Sequence, residues 1–243
     1  MSPPSIREMA TALAEDAEAL AALHDRELSA EMLAALRDIG FPSNLGLLPA
    51  GERSLDAWRL MVAALEETGP GTLDQLAVDY AAIYLTGAYG ASPCESVWTD
   101  DDHLACQDAM FALREIYAAA GLAAEDWRRR PDDHLVLQLL YIAHVLRRAN
   151  GPDELRRLAA MMDEHLLRWL PDFAARVAAR CETPFFAVLG GLTLAWCEQL
   201  RDLLAERLGE PRPSREEVET RARPRRRAEV APLAYMPGAA PSW

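Results

Sequence analysis

The chain has 243 residues, of which 51% are hydrophobic, and a formal net charge of −13, so it is long and apolar enough to bury the core of a globular domain. The charge is uneven, because residues 211–243 hold seven arginines and four glutamates and leave −16 on residues 1–210. Such an acidic body repels nucleic acid and anionic membrane surfaces and attracts basic peptides, unless the charge serves only for solubility.

Targeting and redox signals are few. The first twenty residues lack an apolar core flanked by basic residues, and no run of about 18 apolar residues occurs, so we expect neither a signal peptide nor a membrane-spanning helix. The four cysteines show no CxxC spacing, which favours a reducing cytoplasm.

Helical patterns follow one another along the chain. Start and stop signals predict helices at about 5–23, 29–39, 54–68 and 103–120 and from Pro184 to Gly209. Apolar residues spaced three or four apart predict helices within 71–87 and 129–152 and from Pro152 to Trp169. Thr72 and Gln75 have the spacing of a capping box, and Gly190-Gly191 inside the last helix predicts close approach of a neighbouring backbone. Since no alternating strand pattern or internal repeat is visible, the predicted fold is all-α, a single compact multi-helix domain over residues 1–210.

Three segments interrupt the helical pattern. Residues 41–54 form a connection, and residues 86–102 form a long loop containing Gly87, Gly90 and Pro93; loops of this length are often functional. Residues 211–243 are rich in proline and arginine, which predicts a mostly disordered tail that the core does not need. The arginines of this tail are either solvated or folded back on the acidic body.

The segment PDDHLVLQLL (131–140) predicts a helix with two different sides. His134, Gln138 and Tyr141 fall together on one side of this helix. The opposite, broad face is covered by Leu135, Val136, Leu139, Leu140, Ile142, Ala143 and Leu146. We therefore expect a helix that is anchored by one face and displays a hydrogen-bonding stripe on the other. Asp132 or Asp133 is expected to cap its first turn; whether Asp133 and His134 also recognise a ligand is left open by this segment alone.

Three segments occur in a fixed order: YAAIYLTG at 80–87, SPCESVW at 92–98 and PDDHLVLQLL at 131–140. Together they make residues 70–205 similar to the TorD/DmsD/NarJ family of redox-enzyme-maturation chaperones. The resemblance implies a TorD-like helical fold and a cytoplasmic, non-catalytic protein without a cofactor of its own. It further implies binding of the twin-arginine signal peptide, or of the body, of a molybdopterin-containing oxidoreductase subunit until that subunit receives its cofactor.

The family motifs, carried over by position, nominate a client-binding set. A twin-arginine peptide is basic and then apolar, so its receptor should offer carboxylates beside an aromatic groove; aromatic residues at helical spacing are also typical of a core. Gln138 stands where the family usually has glutamate, which weakens a role in gripping arginine. The residues predicted to bind the client are Tyr80, Tyr84, Glu95, Ser96, Trp98, Asp132, Asp133, His134, Gln138 and Tyr141.

Other chemistry is poorly supported. His103 and Cys106 lack the second ligand pair of a zinc site, and the chain has no nucleophile elbow, phosphate-binding glycine loop or basic recognition helix. We therefore expect no catalytic residue, no metal and no nucleic-acid partner, in a monomer or homodimer. The alternative is an all-α ligand-binding regulator or a helical enzyme unrelated to molybdoenzyme assembly.

Overall fold

A computed structural model describes residues 6–222, and all regular elements in this range are helical, with no strand. This confirms the all-α prediction. The α-helices are α1 Ile6–Asp25, α2 Ala30–Asp38, α3 Glu52–Glu67, α4 Leu73–Tyr80, α5 Ser96–Thr99, α6 Asp108–Ala119, α7 Leu135–Arg148, α8 Pro152–Met161, α9 Leu167–Arg180, α10 Pro184–Leu208 and α11 Arg215–Ala222. A 3₁₀ turn at Pro70–Thr72 precedes α4, and π-helical turns at Ala81–Leu85 and Met162–Leu166 follow α4 and α8.

The core forms where the long helices meet. α1 packs along α7, and α10 packs against α9 and α3. The largest fully buried side chains of the core are Trp169, Phe173, Phe185 and Phe186. Burying an aromatic ring of this kind stabilises the fold by roughly 1.5–3 kcal/mol. Within residues 6–222, no helix combines the length and hydropathy needed to cross a bilayer.

Gly190 allows α10 to approach α9 closely. A Cβ atom at Gly190 would lie 3.1 Å from the Cα of Ala174, whereas one at Gly191 would meet no atom within 4 Å. The predicted close approach of a neighbouring backbone is therefore confirmed at the first glycine of the pair only.

The predicted capping box before α4 is wrong. Thr72 Oγ1 donates to the carbonyl of Gly69 at 2.8 Å and accepts from its N–H at 3.1 Å, and Gln75 donates instead to Glu182 at 2.9 Å. The reason is the 3₁₀ turn, which directs the threonine back along the chain.

The predicted 152–169 helix is too short, since the helix continues through the π turn to Arg180.

The predicted mostly disordered tail, residues 211–243, contains one helix near its start, α11 at Arg215–Ala222. α11 buries Val218, Arg212 pairs with Glu198 and with Asp202, and Arg168 of α9 pairs with Glu219 at 3.0 Å. These ion pairs and one apolar anchor offset the unfavourable local composition, and the contact from Arg168 to Glu219 spans 51 residues of sequence. The remaining residues of the predicted tail, 223–243, lie outside the described range.

Candidate functional site

The loop after Pro93 and the start of α7 form one unit. Cys94 and His134 make an isolated antiparallel bridge, in which Glu95 N–H donates to Asp133 O at 3.1 Å and Leu135 N–H donates to Pro93 O at 2.8 Å. Cys94 is buried, and burial together with nearby Asp133 raises the pKa of its thiol. Two of the three motif segments are therefore joined by backbone hydrogen bonds.

Asp133 orients Ser96 and does not cap α7. Its Oδ2 accepts from Ser96 N–H at 2.8 Å and from Ser96 Oγ at 2.6 Å, and Ser96 Oγ in turn accepts from Gln107 N–H at 3.2 Å. The cap of α7 is His134, whose Nδ1 accepts from Val136 N–H at 3.1 Å. The expectation that Asp132 or Asp133 caps the helix is thus wrong, because the bridge turns both aspartates away from the free amides.

Burial sets the protonation of this unit. Desolvation raises the pKa of Asp133 in spite of the hydrogen bonds from Ser96. Desolvation also lowers the pKa of His134 to about 3, with the charge of Arg130 acting in the same direction. His134 is therefore a neutral hydrogen-bond acceptor at physiological pH.

Glu95, Gln138 and His165 complete a buried polar node, defined here with Ser96 and Asp133. Gln138 Nε2 donates to Glu95 Oε2 at 3.2 Å and to Asp133 O at 3.0 Å, and His165 Nδ1 lies 2.9 Å from Glu95 Oε1. Glu95 and Gln138 have no exposed surface. A glutamate at position 138 would place a second carboxylate against Glu95, so the amide suits this arrangement.

The stripe on α7 is buried, and the predicted two-sided helix is wrong in this respect. His134, Gln138 and Tyr141 all lie in the interior, and Leu140 is the α7 residue with a large exposed apolar side chain. The polar face that periodicity predicted is present, but it faces the polar node and the ring of Tyr117. The ring centroids of Tyr117 and Tyr141 are 5.2 Å apart. Polar character alone does not distinguish a solvent-facing stripe from one that faces buried partners.

Tyr80 and Tyr84 lie together in a separate cluster. Their ring centroids are 4.9 Å apart, Tyr80 donates to the carbonyl of Asp25 at 2.7 Å, and Tyr84 Oη lies 2.5 Å from His24 Nδ1. Burial lowers the pKa of His24 to about 3. These tyrosines attach the first motif segment to α1.

Asp132 and Trp98 each pair with an arginine. Arg114 donates to Asp132 Oδ2 at 3.1 and 2.8 Å, and its guanidinium lies 5.1 Å from the exposed ring of Trp127. Trp98 donates to Ser92 O at 2.8 Å, under the guanidinium of Arg176. Both predicted residues are thus already engaged within the chain.

A groove of about 870 Å³ opens between α6, α7, α8 and the following π turn. Ile116, Tyr141, Val145 and Met161 are among the apolar residues of its lining. Its rim carries residues of both charges, namely Arg148, Glu154, Arg157 and Glu164, and two histidines, His144 and His165. We call this the α6–α8 groove.

His165 connects this groove to the polar node, since the same side chain lines the groove and contacts Glu95. The sequence interpretation missed His165, and its signal was only a histidine beside two acids on an amphipathic helix. Of the ten predicted residues, Glu95, Ser96, Asp133, His134 and Gln138 come together, and Tyr141 lies at the groove. The other four predicted residues lie in three separate contacts: one holds Tyr80 and Tyr84, one holds Trp98, and one holds Asp132.

Comparison with known proteins agrees with these motifs. A family model described as nitrate reductase delta subunit matches residues 50–175. A chaperone protein TorD of Vibrio cholerae serotype O1 is 31% identical over 144 residues, which span 56% of this chain and 65% of that relative. Another, of Shewanella oneidensis, is 27% identical over 197 residues, 77% of this chain and 88% of the relative.

The family match covers more than half of the chain and includes the loop, α7 and the π turn that build the node. The resemblance drawn from the three ordered segments is thereby confirmed. The chain belongs to the nitrate reductase delta subunit family, the TorD/NarJ family.

Proposed function

We propose that this protein is a cytoplasmic chaperone that binds the twin-arginine signal peptide, the apo catalytic subunit, or both, of a molybdopterin-containing oxidoreductase. It supports cofactor insertion before the client is exported. The relatives named chaperone protein TorD support this class of activity. The observation that carries the proposal is the contact between His165 and Glu95, which links the α6–α8 groove to the family motif.

The groove offers what a twin-arginine peptide requires. The apolar segment of the peptide packs on Tyr141, Val145 and Met161, since apolar contact supplies most of the affinity in such grooves. Its arginines meet the carboxylate of Glu164 on the rim and, in place of Arg157, that of Glu154, because guanidinium pairs well with carboxylate.

The buried members of the predicted set act by position. Glu95, Asp132 and Asp133 are buried and hydrogen bonded inside the chain, so exposing one to a client arginine would cost its present partners. Together with Ser96, His134 and Gln138 they fix the loop, α7 and His165 around the groove. Tyr80, Tyr84 and Trp98 hold the adjoining segments.

Glu164→Gln tests the proposed contact. Calorimetric titration with a synthetic twin-arginine signal peptide should show an affinity about fivefold lower than that of the wild type, since a partly exposed charge pair contributes up to about 1 kcal/mol. The control is Glu66→Gln, an exposed position on α3 outside the groove, which should bind as the wild type does. An equal loss in both variants would refute the assigned groove contact, and a wild type that binds neither the peptide nor an apo catalytic subunit would refute the proposal.

A further inference from the structure

Residues 223–243 have the same order of chemistry as the proposed client. Their sequence is RPRRRAEVAPLAYMPGAAPSW, with four arginines and one glutamate near the start and Val230, Leu233, Tyr235 and Met236 further on. The segment therefore carries +3, whereas the rest of the chain carries −16. A basic cluster followed by apolar residues is attracted to an acidic body that offers an apolar groove.

α11, the last described helix before this segment, lies beside a cavity that adjoins the α6–α8 groove. α11 packs against the π turn Met162–Leu166, which supplies Glu164 and His165 to the groove. Arg221, near the end of α11, lines a smaller cavity of about 310 Å³, and Ala160 lines both this cavity and the groove. The end of α11 thus lies at a cavity that shares Ala160 with the groove.

We propose that residues 223–243 fold back into the α6–α8 groove of the same molecule and compete there with the client. The regulatory meaning of this contact rests on the proposed function, although the contact itself does not. Because an extended chain spans about 3.5 Å per residue, the five residues from Ala222 to Arg227 reach at most about 17 Å, and they start from a helix that packs against the π turn carrying Glu164. A short tether also gives the segment a local concentration in the millimolar range at the groove. A free peptide must therefore be present at a higher concentration, or bind with higher affinity, to displace it.

The charges at the rim do not by themselves select this occupant. Glu154 pairs with Arg157 at 3.7 Å, and Arg148 and Glu164 add one charge of each sign. The attraction therefore comes from the apolar floor and from the net charge of the whole body, with Glu164 as a carboxylate contact on the rim.

Photo-crosslinking within the full chain tests the contact. With benzoylphenylalanine incorporated in place of Tyr235, mass spectrometry should find crosslinks to peptides of α6, α7 or α8. Ala119→Arg should abolish them, because Ala119 is exposed and lines the groove, and Ala118→Arg should not, because Ala118 is an exposed neighbour outside it. Crosslinks elsewhere, an equal effect of both variants, or crosslinks that join differently labelled copies of the chain would overturn the proposal.

A second measurement separates this inference from the proposed function. In the full chain with Arg225→Gln, Arg226→Gln and Arg227→Gln, affinity for a twin-arginine peptide should rise about tenfold if the segment fills the groove nine-tenths of the time. Unchanged affinity would overturn the inference and leave the proposed function standing. Groove crosslinks in a chain that binds neither a twin-arginine peptide nor an apo catalytic subunit would support the docking and refute the proposed function.

Discussion

The Asp133 side chain accepts two hydrogen bonds from Ser96, both through Oδ2. Its other oxygen, Oδ1, has no hydrogen-bond partner within residues 6–222. Burial disfavours the charged form of this carboxyl group, so its pKa is raised and the protonated form is favoured. Its neighbour His134 works by the opposite rule, since burial keeps the imidazole neutral so that it can accept from Val136. The Asp-His pair therefore organises backbone and is itself shielded from solvent.

Asp133→Asn should change how stability depends on pH. The pKa of Asp133 is raised in the folded state above its ordinary value of 3.8, so the unfolded chain ionises first. As pH rises from about 4 through the raised folded pKa, the wild type loses the stability that protonated Asp133 contributes. Asparagine does not titrate and should lack this loss.

The measurement is the free energy of unfolding in urea at several pH values from 4 to 7. The stability of the wild type minus that of Asp133→Asn should fall as pH rises. A constant difference over this range would contradict the assigned protonation.

At the scale of helices, close packing between α9 and α10 gives adjacent glycines opposite roles. Gly190→Ala forces a methyl group against the backbone of Ala174 and should lower the free energy of unfolding by about 1–3 kcal/mol. Gly191→Ala enters open space and should raise it by about 0.5–1 kcal/mol, because alanine favours the helix. Chemical denaturation of the two variants at one pH decides this; changes of the same sign would contradict the packing.

The helices were predictable because apolar periodicity is a local property of the chain. Both π turns, at Ala81–Leu85 and Met162–Leu166, were not, because nothing in the neighbouring residues distinguishes them from continuous α-helix. α11 was missed for a related reason. Glu219 within it pairs with Arg168 of α9, and Arg212, just before it, pairs with Glu198 of α10. Both contacts depend on residues outside α11.

At the scale of the whole molecule, the acidic body should speed the arrival of a basic client. Raising salt from about 0.01 to 0.15 M shortens the screening length from about 30 to 8 Å, so the association rate of a twin-arginine peptide should fall while its dissociation rate changes little. Stopped-flow fluorescence over this range measures both rates. A peptide with glutamine in place of both arginines is the control and should respond less; an association rate independent of salt would contradict long-range attraction.

The site was predictable only in part at this scale. Glu95, Ser96, Asp133 and Gln138 come from two of the ordered motifs and lie in one place in the structure. They did not indicate that these side chains are buried, nor that His165, 70 residues from Glu95, completes the node. Burial and long-range pairing depend on which helices pack together, and a single sequence records this weakly.

The bridge between Cys94 and His134 also has a chemical consequence. Oxidants and alkylating reagents attack the thiolate, and a raised pKa keeps Cys94 almost entirely in the unreactive thiol form at neutral pH. The strand-like contact that aligns the loop with α7 is thereby insulated from sulfenic acid formation and from disulfide exchange. Its geometry should survive oxidising conditions that would modify an exposed, ionised cysteine.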